Sequence, residues 1–219
     1  MKAVLFDLDG TVTDPGVGIT NSVMYAVRKF GIEPPPRKEL YCFIGPPLRE
    51  SFSKYFGLSA ADAEKAVEYY REYYRPTGIF ECSLYDGITD AFETIKKEGA
   101  AVALATAKPD IFAERIAKRF GFDKYLTYLS GAALDGSRDD KAEIIARALR
   151  NMPGVTPADA VMVGDRSYDV ESGKKLGLKT VGALYGYGSK EELCSADALA
   201  ETAYETAELA LKLLKIGDR

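Results

Sequence analysis

The first fourteen residues, MKAVLFDLDGTVTD, constrain the fold of this chain more than any other stretch. The apolar run from Ala3 to Phe6 predicts a strand buried on both faces, as in a parallel sheet. Two carboxylates, Asp7 and Asp9, follow this run, and Gly10 beside them allows a close approach of the backbone to another group. Ligands bind at the carboxyl ends of strands in open parallel sheets, so the stretch predicts either a functional site or an ordinary Asp-Gly turn.

The 219 residues include no histidine. This absence excludes Ser-His-Asp triads and histidine-based zinc or iron sites built from this chain alone. A metal ion would be held mainly by oxygen ligands, which suits magnesium, calcium or manganese. Acid-base chemistry would fall to carboxylates, lysine or tyrosine.

The charge is balanced, with 29 basic and 33 acidic residues and a net charge of −4. We therefore expect neither a nucleic acid nor a membrane as partner, and a small diffusible substrate fits better.

Three isolated cysteines offer neither a disulfide framework nor metal-ligand spacing, which favours a reducing compartment. Without a secretory signal or an apolar run of membrane length, we expect a cytoplasmic protein. The oligomeric state is left open.

Strand and helix patterns alternate along most of the chain, but only helices are predicted from residue 15 to about residue 80. After the first strand, apolar runs predict strands at 100–105, 125–130, 158–163 and 178–183. Repeated strand-helix units predict an α/β fold with a doubly wound, mainly parallel sheet and right-handed crossovers. We therefore expect a core of residues 1–14 and 84–219, with an all-helical domain inserted at 15–83.

Polar groups follow the predicted strands of the core. Thr106 comes after the second strand and Asp165 after the strand at 158–163, while Asp169 lies one turn later and Lys141 opens a helix. Since parallel strands end at one edge, we expect these groups to converge with the first two aspartates. Carboxylates alone would repel one another, and a divalent cation resolves that repulsion. A hydroxyl and an ammonium group beside it suit a phosphate.

These motifs resemble, in order, those of the haloacid dehalogenase (HAD) superfamily, specifically the phosphoglycolate phosphatase-like branch with a helical cap domain. The matching residues are Asp7-Leu8-Asp9-Gly10-Thr11, Thr106, Lys141, and Gly164-Asp165 with Asp169. The resemblance covers essentially the whole chain. It implies a HAD-like Rossmannoid core and a magnesium-dependent phosphatase acting on small phosphorylated metabolites, such as phosphoglycolate or nucleoside 5′-monophosphates.

The resemblance also implies a role for each residue. Asp7 would be the nucleophile that forms an aspartyl-phosphate, and Asp9 the general acid and then the general base. Mg²⁺ would be held by Asp7, the backbone carbonyl of Asp9, and Asp165, with Asp169 behind them positioning a metal-bound water or Lys141. The phosphate would be bound by Thr106, Lys141 and Gly10.

The sequence pattern says less about the roles of two residues and one loop. Arg49 lies in a loop that resembles the cap loop facing the active site in this branch, and would bind an anionic substrate tail or pair at the surface beside Glu50. Lys108 is expected at the surface. The stretch from Leu184 to Gly188, LYGYG, is expected to be a flexible connection.

Three other functions compete with the phosphatase hypothesis. A β-phosphoglucomutase-like enzyme would use the same two aspartates but return the phosphoryl group to a sugar. A receiver-type signalling domain would become phosphorylated without turnover, although receivers lack a helical insertion. A HAD fold without catalysis would bind partners only. Rapid multiple turnover would exclude the last two.

Overall fold

Within the residues that the computed structural model describes, 1–135 and 137–216, six parallel strands form the central sheet in the order β5-β4-β1-β6-β7-β8. Strand β1 lies near the middle, between β4 and β6. The strands are β1 (Ala3–Phe6), β2 (Thr13–Asp14), β3 (Ser83–Leu84), β4 (Ala101–Pro109), β5 (Leu126–Ala132), β6 (Ala160–Gly164), β7 (Lys179–Ala183) and β8 (Ala198–Ala200). The two-residue strands β2 and β3 stand outside this sheet.

The α-helices fall into two groups along the chain. The first group is α1 (Gly16–Arg28), α2 (Leu48–Phe56) and α3 (Ala60–Tyr74). The second group alternates with the strands of the sheet: α4 (Ile88–Lys97), α5 (Asp110–Phe120), α6 (Lys141–Arg150), α7 (Ser167–Lys175) and α8 (Ala203–Leu213). The Cα positions correspondingly form two compact units, Met1–Asp14 with Leu84–Arg219, and Pro15–Ser83.

Both faces of the sheet are covered because successive side chains of a strand point to opposite sides. On one face, Leu5 of β1 belongs to a buried cluster with Ile144 and Ile145 of α6. On the other face, the ring of Phe6 meets Phe92 of α4 edge to face, with 5.1 Å between centroids. All four residues of β1 are buried, which explains its uninterrupted apolar sequence. The doubly wound α/β core predicted from the sequence is confirmed.

The Pro15–Ser83 unit has its own core of aromatic and small apolar side chains. Helix α3 begins after Ser59, whose hydroxyl caps the helix by accepting a hydrogen bond from the Asp62 amide at 3.1 Å. Tyr70 and Tyr74, one turn apart on this helix, stack at 5.2 Å and are buried. A short 3-10 segment, Arg37–Phe43, precedes α2. The unit is therefore helical throughout apart from its loops and terminal strand residue.

Within the described part of the chain, no helix combines the length and the apolar character that crossing a bilayer requires.

Phe92 is the aromatic centre of the α4 side of the sheet, since its ring also lies 6.1 Å from those of Phe122 and Tyr125. We expect Phe92→Ala to lower the free energy of unfolding by about 3–5 kcal/mol, because a large buried side chain is lost and a cavity remains. Ile111→Ala, at a position 54% exposed, is the control and should cost little. Urea denaturation followed by circular dichroism measures both. Equal losses in the two variants would contradict this account of the core.

Candidate active site

Three buried carboxylates meet at the carboxyl end of β1 and β6. Asp7 directly follows β1, Asp165 directly follows β6, and Asp169 lies in the first turn of α7. One oxygen atom of each lies within 4.8 Å of the others. The parallel pairing of Phe6 with Val163, continued by a 2.9 Å hydrogen bond from the Asp7 amide to the Val163 carbonyl, brings the two strand ends together. The predicted convergence of these three aspartates is therefore observed.

Lys141 supplies the positive charge inside this carboxylate cluster. It is the first residue of α6, where the side chain of Asp140 caps the helix by accepting a hydrogen bond from the Glu143 amide at 2.8 Å. The Lys141 ammonium lies 2.7 Å from Oδ1 of Asp7 and 2.7 Å from Oδ1 of Asp169. The side chain is buried, so it is not a solvated charge at a helix start.

Asp9 forms an ion pair with a different lysine, Lys108. The expectation that Lys108 lies at the surface is therefore wrong. The Lys108 ammonium is 2.6 Å from Oδ2 of Asp9, and the two side chains are only 5% and 14% exposed. The physical reason is that β4 continues to Pro109, whereas the apolar pattern predicts its end at residue 105. In a strand that reaches residue 109, residues 106 and 108 lie on the same face, and this alternation could have predicted that Lys108 lies on the same side as Thr106.

Thr106 is buried within β4, two residues beyond Leu104, the last position of that strand paired with β1. Its hydroxyl oxygen accepts a 3.2 Å hydrogen bond from the Lys108 amide. It does not cap the next helix, since α5 follows Pro109. Its predicted contact with phosphate stays a prediction.

Only glycine fits at position 10, because both the backbone conformation and the neighbouring side chain exclude a Cβ atom. Its φ of +87° is unfavourable for other residues, and a Cβ atom there would lie closer than 3.0 Å to the carboxyl group of Asp165. The turn is closed by a 2.8 Å hydrogen bond from the Gly10 amide to the Thr13 carbonyl. Gly10 thus packs against a carboxylate of the cluster, and its proposed contact with phosphate stays a prediction.

Arg49 belongs to the helical unit, in the first turn of α2. Its guanidinium pairs with Glu64 of α3, not with the neighbouring Glu50, and its side chain is 46% exposed. Its predicted contact with an anionic substrate tail stays a prediction.

The carboxylate cluster carries more negative charge than one ammonium can neutralise. Burial raises the pKa of Asp169 to about 6, although the charge of Lys141 acts in the opposite direction. Burial, with the nearby charges of Asp169 and Asp7, raises the pKa of Asp165 well above its usual value. Burial alone would lower the pKa of Lys141, but the two carboxylates it contacts raise it, so this lysine stays protonated. Three oxygen donors with a negative excess suit a divalent cation.

Asp9 lies in a different electrostatic environment. Burial raises its pKa, and Lys108 partly opposes that effect. Among the described residues, its Oδ1 atom is buried without a hydrogen-bond partner. A carboxyl group in this environment is well suited to hold a proton.

The stretch from Leu184 to Gly188, the tyrosine loop, also contributes to the site, so the expectation of a flexible connection is wrong. The Tyr187 amide donates a 2.8 Å hydrogen bond to Oδ2 of Asp165. The Tyr185 hydroxyl donates to the Thr11 carbonyl at 2.9 Å. Its glycine-rich composition is typical of loops and gave no sign of these partners.

The sequence profile of the haloacid dehalogenase-like hydrolases matches residues 4–183. The chain belongs to this family. The family and the fold are therefore as predicted. Since the relatives of this chain include proteins named 5′-nucleotidase and phosphoglycolate phosphatase, membership of the family makes the protein a phosphoric monoester hydrolase.

Three similar proteins illustrate the range of the family. A 5′-nucleotidase of Pseudomonas aeruginosa is 42% identical over 190 residues, covering 87% of this chain and 86% of that protein. The tyrosine-protein kinase PtkA of Mycobacterium tuberculosis is 37% identical over 187 residues, or 85% of this chain and 63% of its own length. The crystal structure of "a predicted phosphatase from Clostridium acetobutylicum" superposes with a TM-score of 0.91 at 37% identity, covering 98% of this chain and 99% of the other.

We expect Asp165→Asn to raise the melting temperature of the protein in the presence of a chelator at pH 7.5. The folded-state pKa of Asp165 is raised, so its ionised form destabilises the fold, and that cost grows as pH rises above the ordinary aspartate range. The gain should shrink towards pH 4, where the native carboxyl group is protonated. Thermal melts at both pH values measure it.

The control is Asp123→Asn, at an exposed position. If Asp165→Asn were no more stable than the native protein at pH 7.5, the excess charge of the cluster would not be a source of instability.

Proposed function

We propose that this protein is a magnesium-dependent phosphatase that hydrolyses small phosphomonoesters through an aspartyl-phosphate intermediate. The proposal is carried by one observation. Asp7, at the end of β1, is held 2.7 Å from the Lys141 ammonium inside a cluster of buried carboxylates, whereas Asp9 is paired with a different lysine. Two carboxylates close in sequence thus have environments suited to two roles.

Asp7 is the nucleophile in this proposal. The Lys141 ammonium donates a hydrogen bond to Oδ1 of Asp7, so the carboxylate is fixed in place before substrate arrives. A carboxylate oxygen attacks phosphorus, an acyl-phosphate bond forms and the bond to the ester oxygen breaks. Lys141 is also placed to neutralise charge on the transferred phosphoryl group.

Asp9 is the general acid and then the general base. Burial raises its pKa, so it can deliver a proton to the departing ester oxygen. The resulting carboxylate then accepts a proton from water, whose oxygen attacks the acyl-phosphate. The second step releases inorganic phosphate, regenerates Asp7 and returns the proton to Asp9.

The donor set fits Mg²⁺. Asp7 and Asp165 would hold it with the Asp9 backbone carbonyl, and Asp169 would support the site through its contact with Lys141. Bound there, the cation would offset repulsion between the nucleophile and the phosphate. Calcium and manganese also favour oxygen ligands, so the choice of magnesium rests on the resemblance to the family.

The phosphate would be bound by the Thr106 hydroxyl, the Lys141 ammonium and the backbone at Gly10. Nucleoside 5′-monophosphates are the first substrate class to test, because a relative 42% identical to this chain is named a 5′-nucleotidase. Phosphoglycolate is the second, from the sequence motifs. Arg49 would contribute to the choice between them by binding an anionic tail.

We infer a cytoplasmic enzyme because the three cysteines are isolated in the sequence and offer no disulfide framework, a pattern that favours a reducing compartment.

The decisive test measures phosphate release from nucleoside monophosphates, phosphoglycolate, sugar phosphates and pyrophosphate, with Mg²⁺ or with chelator. Asp7→Asn should abolish turnover, and Asp9→Asn should lower kcat by about 10²–10⁴-fold. Asp123→Asn, exposed and remote in sequence from the motifs, is the matched control. Acid-quenched native enzyme should carry phosphate in a hydroxylamine-sensitive bond, the mark of an acyl-phosphate.

Three outcomes would contradict the proposal. Phosphate transfer from one sugar carbon to another, without release, would point to a mutase. Transfer to tyrosine would place the protein with its kinase-named relative. No release from any substrate would overturn the phosphatase hypothesis.

Lys108→Met tests the assignment of Asp9. Loss of the ammonium 2.6 Å away removes an influence that lowers the pKa of Asp9, so that pKa should rise. The protonated form of Asp9 then persists to higher pH, and the ionised form of Asp9 also appears only at higher pH. Both limbs of the pH-rate profile should shift upwards, with Lys118→Met on α5 as control. A lower rate with an unchanged profile would contradict the assignment.

A further inference from the structure

The tyrosine loop, Leu184 to Gly188, encloses Asp165 from the side of β7. The Tyr187 amide donates a hydrogen bond to Oδ2 of Asp165, at 2.8 Å. The other carboxylate oxygen, Oδ1, accepts a hydrogen bond from the Thr11 hydroxyl at 3.3 Å. Both donors are neutral, so they orient the carboxylate without cancelling the negative charge that a cation would need.

Two glycines allow the loop to come this close. A Cβ atom at Gly186 would lie closer than 3.0 Å to the Gly10 carbonyl and to Asp165. One at Gly188 would lie closer than 3.0 Å to the Asp165 carbonyl oxygen. Neither glycine has a positive φ, so space is the requirement at both positions.

The two tyrosine hydroxyls connect the loop to the segment that follows the catalytic aspartates. Tyr185 donates to the Thr11 carbonyl at 2.9 Å, and its ring packs edge to face on Tyr85 at 4.9 Å. Tyr187 donates to the carboxylate of Asp14. Thr11 is therefore held by Tyr185 through its carbonyl while its own hydroxyl holds Asp165. The three segments form one closed hydrogen-bonded arrangement around a single carboxylate.

We propose that the tyrosine loop is a positioning device for Asp165, and that the hydroxyls of Tyr185 and Tyr187 set the affinity of the site for its divalent cation. This rests on the proposed function, because it assigns the cation to the cluster containing Asp165. The loop touches neither Asp7 nor Asp9 in the contacts described, so it acts through Asp165 and Thr11. Tyr185 and Tyr187 are positioning residues.

The test compares Tyr185→Phe and Tyr187→Phe, each of which removes one hydroxyl and keeps the ring and the backbone amide. Isothermal titration calorimetry of MgCl₂ into metal-free protein gives the dissociation constant directly, without substrate. We expect each variant to bind Mg²⁺ about 10-fold more weakly. Tyr204→Phe, at a position 41% exposed, is the matched control and should bind as the native protein does.

Activity provides a second readout. At low Mg²⁺ both variants should turn over more slowly, and raising Mg²⁺ should recover most of the lost rate, because the defect lies in cation binding. Gly186→Ala, which presses on Asp165 directly, should show the larger loss of affinity. If it fails to fold, the two phenylalanine variants still decide the question.

The outcomes separate this proposal from the proposed function. Lower melting temperatures in chelator with unchanged Mg²⁺ affinity would make the loop merely structural and overturn the proposal alone. Loss of activity that excess Mg²⁺ does not restore would do the same. If the native protein binds no Mg²⁺ yet hydrolyses phosphomonoesters, the metal assignment and this proposal both fail while the phosphatase stands.

Discussion

The ion pairs of one buried ammonium, that of Lys141, hold the site together. It lies 2.7 Å from both Asp7, which follows strand β1, and Asp169, which lies in the first turn of helix α7. Without it, the carboxylates that meet at the ends of β1 and β6 would be buried with no cation, an arrangement that costs several kcal/mol. The position of α6, capped by Asp140 so that its first side chain enters the cluster, is therefore a condition for everything else in the site.

Even so, one ammonium leaves the cluster with a negative excess, and burial together with the charges of Asp169 and Asp7 raises the pKa of Asp165. Such a site is expected to trade stability for function, since the same excess charge that destabilises the fold is what attracts a cation. Asp9 is paired with a different lysine, Lys108, although the charge of Asp7 also acts on it. Two lysines thus give the neighbouring carboxylates different electrostatic environments, and such a difference suits carboxylates to different roles in acid-base chemistry.

The sequence was most informative where local pattern and topology agree. Apolar runs identified β1 and β6, and the shared edge of parallel strands then predicted that Asp7 and Asp165 meet. Lys108 was misjudged because the apolar run of β4 ends before the strand does, so its burial depends on register with neighbouring strands. The tyrosine loop was misjudged for a related reason. Nothing local distinguishes a glycine that allows flexibility from one, such as Gly186, that makes room for a distant carboxylate. The chemical roles of the site residues remain predictions.

The central position of β1 has a consequence for the order of assembly. Ala3 pairs with Ala101 on one side and Ala160 on the other, so the strand that leads into Asp7 is synthesised long before either neighbouring strand. The Pro15–Ser83 unit, by contrast, is continuous in sequence and has all its internal partners within reach early in synthesis. Local contacts form faster than distant ones. The helices of the Pro15–Ser83 unit are then free to fold first, and the carboxylate cluster is completed only after β6 and α7 have been synthesised.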